Sequence, residues 1–336
     1  MNWNNLKKQK KFFRFLRRSL LFFCILFFLD YSIGSLLKYL YFKQGSGSLN
    51  SITFALDSTK ADIIIIGSST ANHHYYPTAF EDKLKMSYYN TGQDGTTILY
   101  HYAMLVSILK RYSPKIVILD VDFGEFEKDQ NSYDRLSILL PYYHNHPELR
   151  PIIKSRSPYE KIKLLSKIYP FNSMVFSVII RNSYFNEYNL RRKEDDKGYI
   201  PLNRSWNKPI QMDTDSAKYE LDNYKIDLFK SFIKDCIESN VTLYAVTSAQ
   251  FILQHTKDTS LIIAKKITSK FNIPFYNYAG DTSFWKHPEY FADRLHLNNT
   301  GAEIFSNKVV EKIIQNQKDT MTTVNKSFSK IKEDNL

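Results

Sequence analysis

Two adjacent serines, Ser68 and Ser69, follow a run of four isoleucines in the stretch 61–73, which reads ADIIIIGSSTANH. The isoleucine run has the composition of a buried β-strand. Gly and Ser often form the turn that ends a strand, and this is the ordinary explanation of the sequence. The other explanation is chemical, because α/β proteins bind their ligands at the carboxyl ends of parallel strands. A serine in that position is a candidate nucleophile.

A carboxylate and an imidazole lie three residues apart in the stretch 291–306, which reads FADRLHLNNTGAEIFS. At this spacing Asp293 can orient the ring of His296 and stabilise its charged form, which leaves the other ring nitrogen free as a base. A serine hydroxyl needs such a base, because alone it is a poor nucleophile at neutral pH. Each motif is a weak signal by itself. Together they predict that Ser69, His296 and Asp293 carry out nucleophilic catalysis.

The order of these motifs resembles that of the SGNH, or GDSL-like, hydrolase superfamily. In that family a hydrophobic strand runs into Gly-Asp-Ser or a variant, a second strand is followed by a Gly that Asn often precedes, and Asp-x-x-His comes last. The corresponding residues of this chain are Gly67, Ser68, Ser69, Asn90, Gly92, Asp293, His296, Leu297, Asn298 and Gly301. The matching blocks stand in the family's order between positions 61 and 305.

The resemblance implies a role for each matching residue. Ser69 would be the nucleophile, His296 the base and Asp293 the residue that orients it. The backbone N–H groups of Ser69 and Gly92 would form the oxyanion hole. Ser68 stands where the parent motif has Asp, and this Ser-Ser version resembles the membrane-anchored branch that includes alginate acetyltransferases and the D-alanyl transfer protein of teichoic acids.

One block departs from the family's pattern. After its third strand the family has Gly-x-Asn-Asp, whereas this chain has LDVDFGEF, without the Asn that donates to the oxyanion. Asp122 in this stretch is a candidate for lining the substrate site, although a carboxylate would repel an oxyanion. The other interpretation of Asp122 is a helix cap or a turn residue at the end of the strand.

Three further histidine and asparagine positions are weaker candidates. His73 and His74 follow the nucleophile turn, where they could touch the substrate, but the simpler expectation is that they are polar surface residues. Asn90 is a candidate substrate-lining residue beside Gly92. The HNH stretch at 144–146 lacks an accompanying Cys or acidic set at ligand spacing. We therefore expect no metal and no cofactor.

Strand-like and helix-like runs alternate along most of the chain, which predicts a parallel sheet covered by helices on both faces. The expected fold is a three-layer α/β/α, flavodoxin-like SGNH fold with a central five-stranded parallel sheet. The predicted strands are ADIIIIG, SYYNTG, KIVILDVD, VTLYAVTS and IPFYNYAG. A capping-box start at Thr300 and Glu303 predicts a final helix to about Ile314.

The chain divides into several predicted segments. Residues 1–18 are a basic cytoplasmic segment, 19–42 a transmembrane signal anchor, and 43–51 a Gly- and Ser-containing linker. Residues 52–315 form the hydrolase-like domain, and 316–336 form a polar tail. The stretch at about 123–215 breaks the alternation of strands and helices. We interpret it as an insertion at the carboxyl edge of the sheet, where it would form part of the substrate site.

The net charge of +12 comes largely from the amino terminus. Seven Lys and Arg residues and no acidic residue lie in the first eighteen positions, so the remainder carries about +5. Nineteen residues with a single charge, Asp30, then separate Arg18 from Lys38. This length suits a membrane-spanning helix, and the preceding positive charge favours a cytoplasmic amino terminus. The alternative is a buried core helix. Asp30, which is costly in a bilayer, indicates a partner within the membrane.

Only two cysteines are present, and Cys24 lies inside the predicted span. Cys236 is therefore alone in the folded part, which excludes a disulfide within that domain.

These features favour an extracytoplasmic serine esterase or O-acyltransferase, held in the cytoplasmic membrane by a single pass. The anchored branch it resembles acts mostly on O-acyl groups of cell-surface polysaccharides, often beside a multi-span membrane acyltransferase. The alternative is a catalytically inactive glycan-binding or scaffold component of such a complex, which the departure in the third block favours. Nucleic acid is not expected as a partner, because membrane topology explains the basic cluster.

Overall fold

A computed structural model describes residues 3–45, 47–182, 197–206, 219–251 and 258–333. The chain forms two compact units. One comprises Met1–Gly45 with Ser137–Arg191, and the other Ser46–Leu136 with Arg192–Leu336. We call them the anchor unit and the catalytic unit, after the roles that the sequence predicts for them, and describe each by itself.

The catalytic unit contains a sheet of five parallel strands in the order β2-β1-β3-β4-β5. The strands are β1 (Ile63–Ile66), β2 (Tyr88–Asn90), β3 (Ile116–Asp120), β4 (Thr242–Thr247) and β5 (Phe275–Asn277). This is the flavodoxin-like order of doubly wound α/β proteins. The predicted fold class and the five-stranded parallel sheet are confirmed.

Helices cover both faces of this sheet, which explains why β1 consists of four isoleucines. All four are fully buried, because a central parallel strand has apolar neighbours on both sides. Among the described residues, the α-helices of the two units are, in chain order, α1 (Trp3–Phe42), α2 (Ser48–Asp57), α3 (Ser69–His74), α4 (Pro77–Leu84), α5 (Ile98–Leu109), α6 (Gln130–Arg135), α7 (Arg150–Lys154), α8 (Glu160–Lys163), α9 (Val175–Asn182), α10 (Asn223–Glu238), α11 (Thr259–Lys270), α12 (Thr282–Trp285) and α13 (Asn299–Glu333).

Two groups of helices form the outer layers of the catalytic unit. Helices α3 and α4 pack against α13, whereas α2 and α10 pack against α5. The last helix contributes Phe305, Val309 and Ile313 to a core that also contains side chains of β1 and β3. This arrangement places the loops after β1, β2 and β3 at one edge of the sheet, together with the start of α13.

The described part of the anchor unit comprises the long helix α1 and the segment 137–182. This segment contains α7, α8 and α9, with 3₁₀ turns at Leu136–Tyr142, Pro147–Leu149 and Tyr169–Met174. Among the described residues, one stretch, Lys8–Phe42, is long and apolar enough to cross a membrane.

Three boundaries differ from the sequence-based expectations. Helix α1 includes the basic segment, whose Lys and Arg residues are good helix formers. Helix α2 begins at Ser48, inside the predicted linker. Helix α13 continues to Glu333, beyond the expected start of the polar tail at 316, because this stretch contains good helix formers such as Lys and Gln and no Gly or Pro. Residues 334–336 lie outside the described part of the chain.

The predicted insertion at 123–215 is divided between the two units. Residues 137–182 belong to the anchor unit, and 197–206 belong to the catalytic unit. Residues 183–196 and 207–215 of the predicted insertion lie outside the described residues.

Candidate active site

Ser69 is the first residue of α3, directly after the turn that ends β1. Its hydroxyl lies 2.7 Å from Nε2 of His296, which comes from the loop just before α13. The other ring nitrogen, Nδ1, lies 2.8 Å from Oδ1 of Asp293. The fold therefore brings together three side chains that are up to 227 positions apart in the sequence. The distances suit a hydroxyl nucleophile, a base and a carboxylate that fixes the tautomer of the base.

Asp293 is held in place because both of its carboxylate oxygens accept hydrogen bonds. Its Oδ1 accepts the backbone N–H groups of Leu295 and His296, each at 3.0 Å, in addition to the imidazole. Its Oδ2 accepts a bond from Nη2 of Arg204 at 2.6 Å. Burial acts to raise the pKa of Asp293, but the hydrogen bonds and charge of His296, with those of Leu295 and Arg204, lower it below the usual range. The carboxylate therefore stays ionised and can stabilise a protonated His296.

The two predicted oxyanion donors differ in their surroundings. The N–H of Ser69 is at the start of α3, where no preceding turn supplies an intrahelical acceptor. The N–H of Gly92, in contrast, donates to Oδ1 of Asn90 at 2.8 Å. Asn90 also donates through Nδ2 to the carbonyl of Ala71, at 2.6 Å. As an oxyanion donor, Gly92 would have to exchange its bond to Asn90 for one to the substrate.

Asp122 contacts the neighbour of the candidate nucleophile. Its carboxylate accepts hydrogen bonds from Ser68 Oγ at 2.7 Å, from Gln250 Nε2 at 2.9 Å and from the backbone N–H of Phe123 at 2.8 Å. Burial raises the pKa of Asp122 despite these bonds. The bond to the Phe123 N–H fits the interpretation of Asp122 as a turn residue. Its contact with Ser68 places it beside the nucleophile turn, and it does not contact Ser69.

The sequence-based expectation that His73 and His74 are surface residues is wrong, since both are buried. His73 Nδ1 donates to the carbonyl of Ile200 at 2.7 Å, and its Nε2 faces Asp94 at 3.5 Å. His74 Nε2 accepts the N–H of Leu297 at 2.9 Å, so it holds the loop that carries His296. Burial, with the charges of His296 and His73, places the pKa of His74 well below its usual value.

A cavity of about 450 Å³ is lined in part by His296 and Asp293, together with His73, Asn90 and Gly92. Ser69 is not among the lining residues and reaches the cavity through its hydrogen bond to His296. Asp122 does not belong to this lining. Helix α2 supplies one wall through Ser51, Ile52 and Ala55, and the segment 198–204 supplies another through Gly198, Ile200, Leu202 and Arg204.

The segment 198–204 reaches the cavity because it pairs with α3 and β2. The N–H of Ile200 donates to the carbonyl of Asn72, and the N–H of Asn90 donates to the carbonyl of Lys197. Gly198 has a φ of +83°, and a Cβ at this position would lie 1.9 Å from the carbonyl oxygen of Asn90. Glycine is therefore required for this close approach.

Two charged residues that line the cavity, Arg204 and Asp94, belong to no sequence motif that would have predicted their presence there. Arg204 lies in the irregular stretch YIPLNRSW and contacts Asp293 only through the fold. Asp94 lies two residues after Gly92, in a stretch that matches the family only through Asn90 and Gly92. The hydrogen bond from His73 lowers the pKa of Asp94 to about 2. Burial acts in the opposite direction, and a hydrogen bond from Asn72 adds to the lowering. The cavity therefore contains a fixed negative charge as well as a guanidinium.

Comparison with known proteins gives matches at the level of solved structures. No protein-family model matches the chain, and no curated protein matches it. An acetyl xylan esterase is 14% identical, with a TM-score of 0.38, over 75% of this chain and 98% of that one. A putative acylhydrolase from Bacteroides fragilis is 12% identical, with a TM-score of 0.39, over 82% and 99% of the two chains. A GDSL-like lipase from Bacteroides thetaiotaomicron is 11% identical, with a TM-score of 0.33, over 75% and 88%. Similarity this low does not assign an activity to the chain.

Proposed function

We propose that this protein is a serine esterase or O-acyltransferase of the SGNH type that acts through a seryl ester. The observation that carries the proposal is the hydrogen-bonded series from Ser69 Oγ to His296 and from His296 to Asp293, at 2.7 and 2.8 Å. The parallel sheet with Ser69 at the end of its first strand supports it, as do the sequence blocks that resemble the family.

The proposed reaction begins when His296 Nε2 takes the hydroxyl proton of Ser69 while Oγ attacks the acyl carbonyl. The imidazolium is stabilised by ionised Asp293, which accepts the Nδ1–H. The N–H of Ser69, and that of Gly92 once released from Asn90, would donate to the tetrahedral oxyanion. The intermediate collapses when the C–O bond to the leaving alcohol breaks and His296 returns the proton to it.

The second half of the reaction decides between an esterase and a transferase. His296 deprotonates either water or an acceptor hydroxyl, which attacks the seryl ester and releases Ser69. A cavity of about 450 Å³ offers room for a sugar unit as the acceptor. The polar and charged residues of its lining, including Asp94 and Arg204, support a hydroxyl-rich substrate such as an acetylated cell-surface polysaccharide.

The location that we propose is the cytoplasmic membrane, with α1 as a single-pass anchor, the amino terminus inside and the catalytic unit outside. The length and hydropathy of Lys8–Phe42 support an anchor. The seven basic residues before Ser19 support this orientation through the positive-inside rule. A multi-span acyltransferase that supplies the acyl group is the partner that fits this arrangement.

A second candidate function is a catalytically weak or inactive glycan-binding or scaffold protein. The specific observation that favours it is the bond from the Gly92 N–H to Asn90, combined with the missing Asn in the third block. Activity measurements separate the two functions, because a binding protein would form no seryl ester.

The test is hydrolysis of p-nitrophenyl acetate by the full-length protein in detergent. We expect Ser69→Ala to lower kcat/KM by on the order of 10⁴-fold or more, because no other group replaces the nucleophile. Ser68→Ala is the matched control and should retain most of the activity, since Ser68 binds Asp122 and does not contact His296. Equal activity of wild type and Ser69→Ala would refute an enzymatic role for this serine.

A further inference from the structure

One face of α1 contacts the segment 137–182 within the anchor unit. Leu37 and Tyr41 are buried on this face, and the Tyr41 hydroxyl lies 3.1 Å from that of Tyr142. Gly34 permits a still closer contact, because a Cβ there would lie 2.3 Å from the backbone of Lys167. The segment therefore lies directly against the proposed membrane-spanning helix.

The position of this contact along α1 indicates how deep in the bilayer the contact would lie. Asp30 precedes Lys38 by two helical turns, which corresponds to about 12 Å along the axis. The hydrocarbon core of a bilayer is about 30 Å thick. If the apolar run from Ser19 to Leu37 spans the bilayer, residues that contact Asp30 and Gly34 lie within the leaflet nearer to the folded domain.

Asp30 is bonded by the polar groups that the segment presents at this depth. Its carboxylate accepts hydrogen bonds from the Ser166 hydroxyl and from the backbone N–H groups of Lys167 and Ile168. A carboxylate and unpaired backbone N–H groups are each costly in hydrocarbon, so the pairing lowers both costs. If α1 spans the membrane, the polar partner that Asp30 needs there is supplied by the segment of the same chain.

The segment also presents apolar side chains outward. On α9, Val178 is buried, whereas Phe176 is 82% exposed and Ile179 is 51% exposed. Near α8, Ile162 is 66% exposed and Leu165 is 77% exposed. Large exposed apolar groups of this kind mark interaction surfaces. Basic residues stand beside them, and Lys161, Lys163 and Lys167 are all exposed.

We propose that the segment 157–182 is embedded in the domain-side leaflet beside α1, with Phe176, Ile179, Ile162 and Leu165 in contact with lipid acyl chains. Lipid is favoured over a protein partner because the apolar surface adjoins the membrane-spanning helix. The neighbouring lysines also suit anionic headgroups, which their long side chains can reach from the interface. The proposal rests on the proposed anchor but not on the chemistry of Ser69.

The experiment measures the depth of single labels in lipid nanodiscs that contain phosphatidylglycerol. The full-length protein with Cys236→Ala carries an environment-sensitive fluorophore on one cysteine. Two test proteins carry the label at Phe176→Cys or at Ile179→Cys, each with Cys24→Ala. A third protein is labelled at native Cys24, which marks the proposed span. A fourth is labelled at Asn145→Cys with Cys24→Ala, and it is the exposed control from the same unit. Quenching by doxyl groups on lipid acyl chains is compared with quenching by aqueous iodide.

We expect labels at 176 and 179 to resemble the Cys24 label, with blue-shifted emission, loss of intensity with doxyl lipids and resistance to iodide. The label at 145 should show the reverse. Iodide quenching at 176 and 179, with lipid quenching at Cys24, would refute the embedded segment and leave the anchor intact. Protection from both quenchers would also overturn the proposal, because it indicates coverage by a second copy or another protein. Iodide quenching at Cys24 would refute the anchor itself.

Discussion

At the scale of single residues, the site depends on how firmly Asp293 is oriented. Its Oδ1 accepts hydrogen bonds from the loop that carries His296 and from the imidazole, and its Oδ2 accepts one from Arg204. The Arg204 side chain is 66% exposed, so solvent screens this ion pair. Arg204 is therefore a positioning residue whose contribution is modest, and it does not touch the reacting atoms.

Arg204→Ala should lower kcat/KM by about two- to fivefold, which corresponds to the energy of an exposed ion pair. Arg204→Lys should recover part of the loss. Arg294→Ala is the matched control, because it removes the same charge beside Asp293 without removing the bond to Oδ2. Ester hydrolysis across a pH series provides the measurement. Equal losses in the two alanine variants would show that net charge matters and that the contact does not.

Asp120, at the end of β3, gives a stability prediction of its own. It is fully buried and accepts hydrogen bonds from the hydroxyl and N–H of Ser248. Burial, with the charge of Asp122, raises the pKa of Asp120 to about 8. The folded protein therefore keeps a proton that the unfolded chain releases near pH 4, and this contribution to stability is lost as the pH rises toward 8.

Asp120→Asn removes this titration while it keeps the size of the side chain. Relative to wild type, the variant should be progressively stabilised between pH 4 and pH 8, by up to about 1.4 kcal/mol for each pH unit. Thermal unfolding of the two proteins at several pH values measures the difference. A constant difference over this range would contradict the raised pKa.

The sequence identified those site residues that belong to local patterns. Ser69 follows a run of apolar residues, and Asp293 and His296 share one short motif. Arg204 and Asp94 belong to no such pattern, because they reach the cavity only through the pairing of the segment 198–204 with α3 and through the loop after β2. The burial of His73 and His74 was mispredicted because α3 is covered by α13 and by Ile200, which are distant in sequence.

At the scale of elements, the position of α3 depends on a close approach by the loop after β2. A Cβ on Gly92 would lie 2.5 Å from the backbone nitrogen of Asn72 in α3. Any side chain at position 92 would therefore push α3, and with it Ser69, away from His296. The five parallel strands were predictable from the alternation of buried runs with helical stretches, whereas the ends of α2 and α13 were not, since polar residues suit both helix and loop.

Gly92→Ala should reduce both esterase activity and thermal stability, because α3 or the β2 loop must shift by tenths of an ångström or more. Gly45→Ala is the matched control, since a Cβ at that position meets no atom within 4 Å. Activity and unfolding temperature are measured for both variants. A Gly92→Ala protein as active and stable as Gly45→Ala would show that the loop and α3 are not tightly coupled.

At the scale of the whole molecule, the basic cluster and the apolar part of α1 predict one orientation in the membrane. We expect the amino terminus to be cytoplasmic and the catalytic unit to be on the opposite side. Protease added to intact spheroplasts should digest the catalytic unit, while a tag before Trp3 stays protected. Digestion only after lysis would contradict this topology. Replacement of the seven basic residues tests whether their positive charge sets the orientation, in which case the replacement should weaken or reverse it.

The central claim is that Ser69 forms a covalent ester with the acyl group. Reaction of the full-length protein with a fluorophosphonate, followed by mass spectrometry of the peptide that contains ANHH, tests it most directly. We predict the adduct on Ser69 in wild type and in Ser68→Ala, and its absence from Ser69→Ala and, to a large extent, from His296→Ala. An unlabelled wild type, or equal labelling of Ser69→Ala, would contradict the account and favour the binding protein.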